Sequence, residues 1–299
     1  MSPSWRWWWA FWLFTPLIQA DAASGISFTP QQCSTFQWSN LPGVSERAAV
    51  IVPVTMEGRT YYFQLDTGSY LTYLKGDLAQ QNGWLNDSDH SVSLPQMAFA
   101  GAVLPPGKAA NLPSQKSRRG TLGLSSLMGR RLVIDYPLQR VCLIEPGQWN
   151  PENDQYFEWI PAALVKGGLS IPVTLGDETL SSVLLDSGSS MFSLLIRSPE
   201  WKKYTGIEDE AGAPLKVVGG AWGHKIEVLG AAAEVSLKFG SITIQKPDVY
   251  TVRPLAEEAR TFGAGVFQGV LGNALFWDRV VVMKLDGPDF ALGVSKLGK

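Results

Sequence analysis

The sequence predicts a mostly β protein built from two related halves. Three observations carry this expectation. Apolar residues alternate or run at strand length nearly everywhere, with few and brief helical signals. The 299 residues include only 17% charged residues but 30 Gly and 19 Pro, the turn content of many short strands. The third observation is internal repetition. IVPVTMEGRTYYFQLDTGS, residues 51 to 69, is matched by SIPVTLGDETLSSVLLDSGSS, residues 170 to 190.

Taken from the N-terminus, the first segment is MSPSWRWWWAFWLFTPLIQADAASG. Arg6 precedes an apolar run from Trp7 to Ile18, followed by Ala20-Asp21-Ala22, a small-x-small pattern. This reads as a secretory signal peptide over 1–22, cut after Ala22. The run is short against the ~20 residues that a membrane span needs, so no stable membrane insertion is expected. An uncleaved anchor is the alternative.

Cys33 and Cys142 are the two cysteines of the chain. In an oxidising compartment such a pair is a disulfide candidate, and two buried thiols are the alternative. A zinc site has no ligand spacing to support it, with only His90 and His224 as imidazoles. No Ser/His or Cys/His arrangement and no G-x-S-x-G turn supplies a nucleophile. The formal net charge of -2 leaves no basic surface for a phosphate backbone, so no nucleic-acid partner is expected. The clusters Lys116 to Arg119 and Arg130-Arg131 read as solvated loop charge.

Each copy of the repeat opens on apolar-Pro-Val-Thr, passes a Gly-containing turn, and climbs a second strand into Asp-Thr/Ser-Gly-Ser. Further on, GTLGLSSLMGRRLVIDYPLQRVCLI (120 to 144) is matched by GVLGNALFWDRVVVMKLDGPDFALGV (269 to 294). Each has Gly-x-Leu-Gly, a short helix-sized stretch, an apolar strand, a turn and a last strand. We divide the chain into a first lobe at 45–148, a joining segment at 149–166 and a second lobe at 167–299. Within the joining segment FEWIPAAL reads as a strand running between lobes. Helical signals fall at 74–81, 198–204, 255–260 and just after each Leu-Gly.

A lone Asp-Thr-Gly-Ser is an ordinary turn. Two of them, each closing a matching hairpin, have a chemical consequence. Related lobes pack about a pseudo-twofold axis, and equivalent turns meet on it, which brings Asp66 and Asp186 together. Two carboxylates in contact cannot both ionise cheaply, so they share a proton. Such a pair can hold a water, one member taking its proton while the other donates to a carbonyl oxygen. Gly68 and Gly188 let backbone approach the carboxylates. Thr67 and Ser187 offer hydroxyls to bond across to the opposite lobe, and Ser69 and Ser189 offer donors to the carboxylates.

LDTGS and LDSGSS, each preceded by a strand and followed by Leu-Gly and a strand, resemble the aspartic proteases of the pepsin-like and retropepsin-like superfamily. The resemblance extends over nearly the whole chain after Ala48. It implies a bilobal β fold with a six-stranded core and peptide-bond hydrolysis by water held between Asp66 and Asp186. It implies no metal or organic cofactor and a peptide or unfolded protein as substrate. The small lobes and LGLSSLMGRRLVIDY resemble a duplicated, fused, bacterial-type retropepsin-like chain, expected to act as a monomer. Together these features predict an exported endopeptidase, periplasmic or secreted, with an acidic optimum.

The pattern departs from the pepsins in its flap. Asp66 precedes Gly123 by 57 residues, whereas Asp186 precedes Gly272 by 86, so the second lobe carries 29 extra. LKVVGGAWGHKIEVLG, residues 215 to 230, reads as a flap-like hairpin with Trp222, Gly223 and His224 at its tip. The first lobe is expected to carry little or no flap. That absence supports the competing expectation of a pseudo-protease that grips peptides without cutting. A glycosidase also needs paired carboxylates, usually further apart and flanked by stacking aromatics; duplicated Asp turns do not suit it.

Overall fold

Two hairpins of matching sequence each seed a sheet of matching topology. The computed structural model describes residues 26–86, 91–112, 120–221 and 224–296. Residues 1–22, for which a signal peptide is expected, lie outside them.

The first half contains β1 (Cys33–Thr35), β2 (Gln37–Leu41), β3 (Ser45–Met56), β4 (Arg59–Asp66), β5 (Tyr73–Lys75), α1 (Gly76–Gln81), β6 (Val92–Leu94), β7 (Met97–Phe99), β8 (Ala102–Leu104), β9 (Gly107–Leu112), β10 (Gly120–Gly123), β11 (Arg131–Asp135) and β12 (Arg140–Ile144). The joining stretch gives β13 (Phe157–Pro161) and β14 (Ala163–Val165). The second half contains β15 (Gly168–Leu175), β16 (Glu178–Leu185), β17 (Leu194–Ile196), α2 (Ser198–Thr205), β18 (Leu215–Ala221), β19 (His224–Ala232), β20 (Ser236–Phe239), β21 (Ile242–Gln245), β22 (Asp248–Arg253), α3 (Leu255–Thr261), β23 (Gly269–Leu271), β24 (Val280–Lys284) and β25 (Ala291–Ser295). Short 3-10 turns follow both Leu-Gly pairs, at Leu124–Ser126 and Asn273–Phe276.

The first-lobe sheet runs β6-β9-β5-β10-β4-β3-β7-β8, and the second-lobe sheet β18-β19-β22-β17-β23-β16-β15-β20-β21. They correspond strand for strand at the centre. In both, the Asp strand lies between its hairpin partner and, in parallel, the Leu-Gly strand. Parallel pairing of neighbours needs a long crossover, which residues 67–119 in one lobe and 186–268 in the other supply. In both lobes alternate residues of the hairpin strands face the interior: Val50, Val52, Val54, Phe63 and Leu65 in one, Ile171, Val173, Val183 and Leu185 in the other, all buried.

The last strands of both halves leave these sheets. They form a shared six-stranded sheet, β1-β12-β11-β24-β25-β13, in which β11 and β24 pair across the two halves. FEWIP forms its edge as β13. The N-terminal segment ahead of residue 45 is part of the architecture as well: β2 pairs with β3, and β1 pairs with β12 through the Cys33–Cys142 disulfide. Ile26 and Phe28 pack under this sheet with Val133, Phe157 and Val282.

The sheets differ where the sequence is longer. In the second lobe β18 and β19 form a hairpin seven pairs long, from Leu215↔Gly230 to Ala221↔His224. In the first, the described residues before β6 make a short pairing, with Asn86 N–H donating to Ser91 O at 2.8 Å and Ser93 N–H to Trp84 O at 2.8 Å. Residues 87–90, including His90, lie outside the described residues.

Candidate active site

Strand alternation places the two aspartates. In β4, Phe63 and Leu65 point into the core, so Gln64 and Asp66 share the opposite face. In β16, Val183 and Leu185 do the same, leaving Leu184 and Asp186 on the other side. Each strand ends in a turn in which the serine N–H returns to the aspartate carbonyl, Ser69 to Asp66 at 3.3 Å and Ser189 to Asp186 at 3.2 Å. Both aspartates are half-buried.

The turns are locked to each other. Thr67 N–H donates to Ser187 Oγ at 3.0 Å and Ser187 N–H to Thr67 Oγ1 at 3.0 Å. The hydroxyls then donate onward, Thr67 to Leu185 O at 2.9 Å and Ser187 to Leu65 O at 3.0 Å. Both residues are fully buried, so each of the four bonds replaces water that cannot enter.

The same packing brings the carboxylates together. A Cβ on Gly68 would stand 2.4 Å from Asp186 Cγ, and one on Gly188 would stand 2.7 Å from Asp66 Oδ1 and 2.9 Å from Asp186 Oδ1. One methyl group at Gly188 would thus touch both carboxylates. Both glycines are required for space rather than for an unusual backbone angle.

Asp186 accepts from Gly188 N–H at 2.7 Å on one oxygen and from Ser189 Oγ at 2.7 Å on the other. Asp66 accepts from Ser69 N–H at 3.0 Å. The expected donation from the Ser69 hydroxyl is not what forms: that hydroxyl donates to Leu71 O at 2.9 Å. The chain after Ser69 bends so that the Leu71 carbonyl meets it first, and the two turns are not equivalent at this position.

The Leu-Gly pairs now have a physical reason. Gly123 is level with Asp66 in the parallel ladder, and a Cβ there would lie 2.2 Å from Leu71 O; at Gly272 it would lie 2.2 Å from Ser189 O and 2.4 Å from Phe192 O. The loop following each aspartate crosses directly over its glycine. Leu124 N–H to Ser69 O at 2.8 Å and Asn273 N–H to Ser189 O at 3.2 Å tie it down.

Sequence reasoning missed two supporting side chains. Asn273, 4% exposed, donates to Ser187 O at 2.8 Å and Ser190 Oγ at 2.9 Å, bracing the second turn from below. Gln64 donates through Nε2 to Gly188 O at 3.2 Å, crossing from one half to the other. The signal for both was a polar residue where the other copy has leucine, Leu124 and Leu184 respectively. Beneath the site, Tyr136 stacks on Trp38 at 6.0 Å. Burial first, and then the charge of Asp186, hold its phenol far above the usual range.

At the flap-like hairpin, Trp222 and Gly223 lie outside the described residues, and His224 opens β19. Val217, Ile226 and Val228 of the hairpin pack on Leu184, Leu195 and Tyr250. Among the described residues no group of three His, Cys, Asp or Glu converges to hold a metal ion.

Comparison with known proteins agrees with this geometry at the level of fold. No family model and no curated protein matches the sequence. Among solved structures, the chain is similar to an aspartic proteinase from Irpex lacteus, with 14% identity, 84% of this chain and 96% of that chain covered, and a TM-score of 0.50. The chain has an aspartic-proteinase fold. Within that fold, the shared six-stranded sheet is the base on which the two lobes stand, and the paired Asp turns are where they meet.

Proposed function

We propose that this protein is an exported aspartic endopeptidase whose Asp66 and Asp186 activate a water for peptide-bond hydrolysis. The observation that carries the reading is the reciprocal lock between Thr67 and Ser187, which holds both carboxylates against the opposite glycine. A lock of this kind holds the two acidic groups side by side where the turns meet, close enough that one Cβ at Gly188 would touch both. The ionised partner takes a proton from the water as it attacks the carbonyl carbon. The protonated partner donates to the carbonyl oxygen, and no covalent intermediate is needed. Activity belongs to the acidic range and falls once both carboxylates ionise.

The hairpin 215–230 serves as the flap over the bound peptide, and the protein acts as a monomer because one chain holds both aspartates. The disulfide agrees with an oxidising compartment, and we assign the protein to the periplasm or to secretion. The short pairing before β6, with no first-lobe flap among the described residues, favours a second reading, a cleft that binds peptides without cutting.

The test is to incubate the chain from Ala23 with an unfolded protein mixture from about pH 3 to about pH 7, alongside Asp66→Asn and Asp186→Asn. Internal cuts that disappear in both variants support the protease. Peptide binding without cuts at any pH supports the second reading.

A further inference from the structure

The duplicated sheets present opposite chemistry on the face that carries the aspartates. In the second lobe the residues level with Leu184 are Val270, then Leu195, then Tyr250. All are buried, covered by the hairpin side chains Val217, Ile226 and Val228. In the first lobe the corresponding row is Gln64, Thr121 and Tyr73. Residues level with one another on neighbouring strands point to the same face, so this row shares the Asp66 side of the sheet. Among the described residues, no hairpin like the covering one of the second lobe lies over this row.

Gln64 is 7% exposed, and its Nε2 is committed to Gly188 O, which fixes the direction of the amide. Its Oε1, the Thr121 hydroxyl and the Tyr73 phenol take no hydrogen bond among the described residues, yet none is sealed in the interior. A polar row on a strand beside a reactive pair is costly to bury under an apolar side chain, because its groups would lose water and gain no partner.

We infer that Gln64, Thr121 and Tyr73 make the first-lobe side of the cleft a hydrogen-bonding pocket, selecting a neutral amide or hydroxyl side chain (Asn, Gln, Ser or Thr) at one of the two residues flanking the cut bond. This rests on the protease reading above. Gln64 Oε1 accepts from the substrate donor, while Thr121 and Tyr73 can donate or accept. The second-lobe row is closed over by its hairpin and offers no matching polar group, so the polar preference arises on the first-lobe side alone.

The experiment is a cleavage profile on peptides from a denatured proteome, read by mass spectrometry, for the wild type, Tyr73→Phe and the double variant Gln64→Leu/Thr121→Val. The expected wild-type profile favours Asn, Gln, Ser or Thr over Leu and Val by about 10-fold or more at one flanking position. The double variant reverses that preference and leaves the other position unchanged. If the double variant does not fold, the wild-type profile and the partial loss of preference in Tyr73→Phe decide the matter. Wild-type cuts with apolar residues on both sides overturn the pocket and leave the protease reading intact. Absence of any cut that depends on Asp66 overturns both.

Discussion

Thr67 and Ser187 each donate a backbone N–H to the other's hydroxyl at 3.0 Å, and each hydroxyl donates to the carbonyl just ahead of the other's aspartate. The relation is reciprocal, so either residue alone would leave its half of the ring unpaired. It converts two separate turns into one rigid unit. Replacing Thr67 with Val keeps the shape but removes the oxygen, orphaning Ser187 N–H and Leu185 O inside the protein. Two buried groups without partners cost about 2–5 kcal/mol together. Thr67→Ser keeps the oxygen and costs about 1 kcal/mol or less. Urea unfolding of the two variants distinguishes them, and equal destabilisation would refute the ring as the source of stability.

Much of this arrangement was legible in the sequence because it is written twice. The hairpins, the Leu-Gly blocks, the terminal strands and the second-lobe hairpin follow from segments that match or fail to match between copies. What escaped was asymmetry between equivalent positions. The Ser69 hydroxyl turns to Leu71 O whereas Ser189 reaches Asp186, a difference set by the path of the following loop and not by residue type. Gln64 and Asn273 act across distances of 124 and 86 residues, where no local pattern announces the partner. The shared sheet was expected from the resemblance alone. The sequence division at residue 45 also left out β1 and β2, whose short polar strands carry no periodic signal.

The disulfide should matter more for stability than for the site. Cys33 and Cys142 are 109 residues apart, and closing a loop of that size stabilises by about 5 kcal/mol in the chain-entropy account. Cys33→Ala/Cys142→Ala is expected to lower the urea midpoint accordingly while retaining the Asp66–Asp186 geometry, because β1 lies at the edge of the shared sheet. Comparing unfolding of the wild type with and without reductant checks this. A midpoint insensitive to reduction would show that β1 holds by packing alone.

Alkaline pH should loosen the second lobe. Tyr250 lies beneath Gly230 of the hairpin and against Phe192 at 4.9 Å. Burial, and then the charge of Asp248, push its phenol from 10.0 up to about 12. The folded state thus holds its proton more tightly than the unfolded chain. That contribution to stability is complete below pH 10.0 and is lost as the pH rises through about 12. Tyr136 and Tyr204 are shifted in the same direction. A tyrosinate absorbance titration should show delayed ionisation, and Tyr250→Phe should flatten the fall in stability over that window. An unfolding curve for Tyr250→Phe that tracks the wild type throughout would rule out this residue as a contributor.

Two kinds of glycine surround the paired aspartates, and they should fail differently. At Gly272 an added Cβ meets backbone, 2.2 Å from Ser189 O and 2.4 Å from Phe192 O. Neither carbonyl can move without shifting the loop that tops the second turn. Gly272→Ala therefore costs roughly 3 kcal/mol or more and lowers expression of folded protein. At Gly68 the added Cβ meets the carboxylate of Asp186, 2.4 Å from Cγ and 2.5 Å from Oδ1. A side chain can rotate away, so Gly68→Ala costs only about 1–3 kcal/mol. The rotation separates the two carboxylates, and for the proposed protease a displacement on the scale of 1 Å costs about 100-fold in turnover. Thermal unfolding and peptide-cleavage rates measured on both variants separate the cases: Gly68→Ala folded but nearly inactive, Gly272→Ala poorly folded. Full activity in Gly68→Ala would mean that close approach of the carboxylates is not what the turn is built to provide.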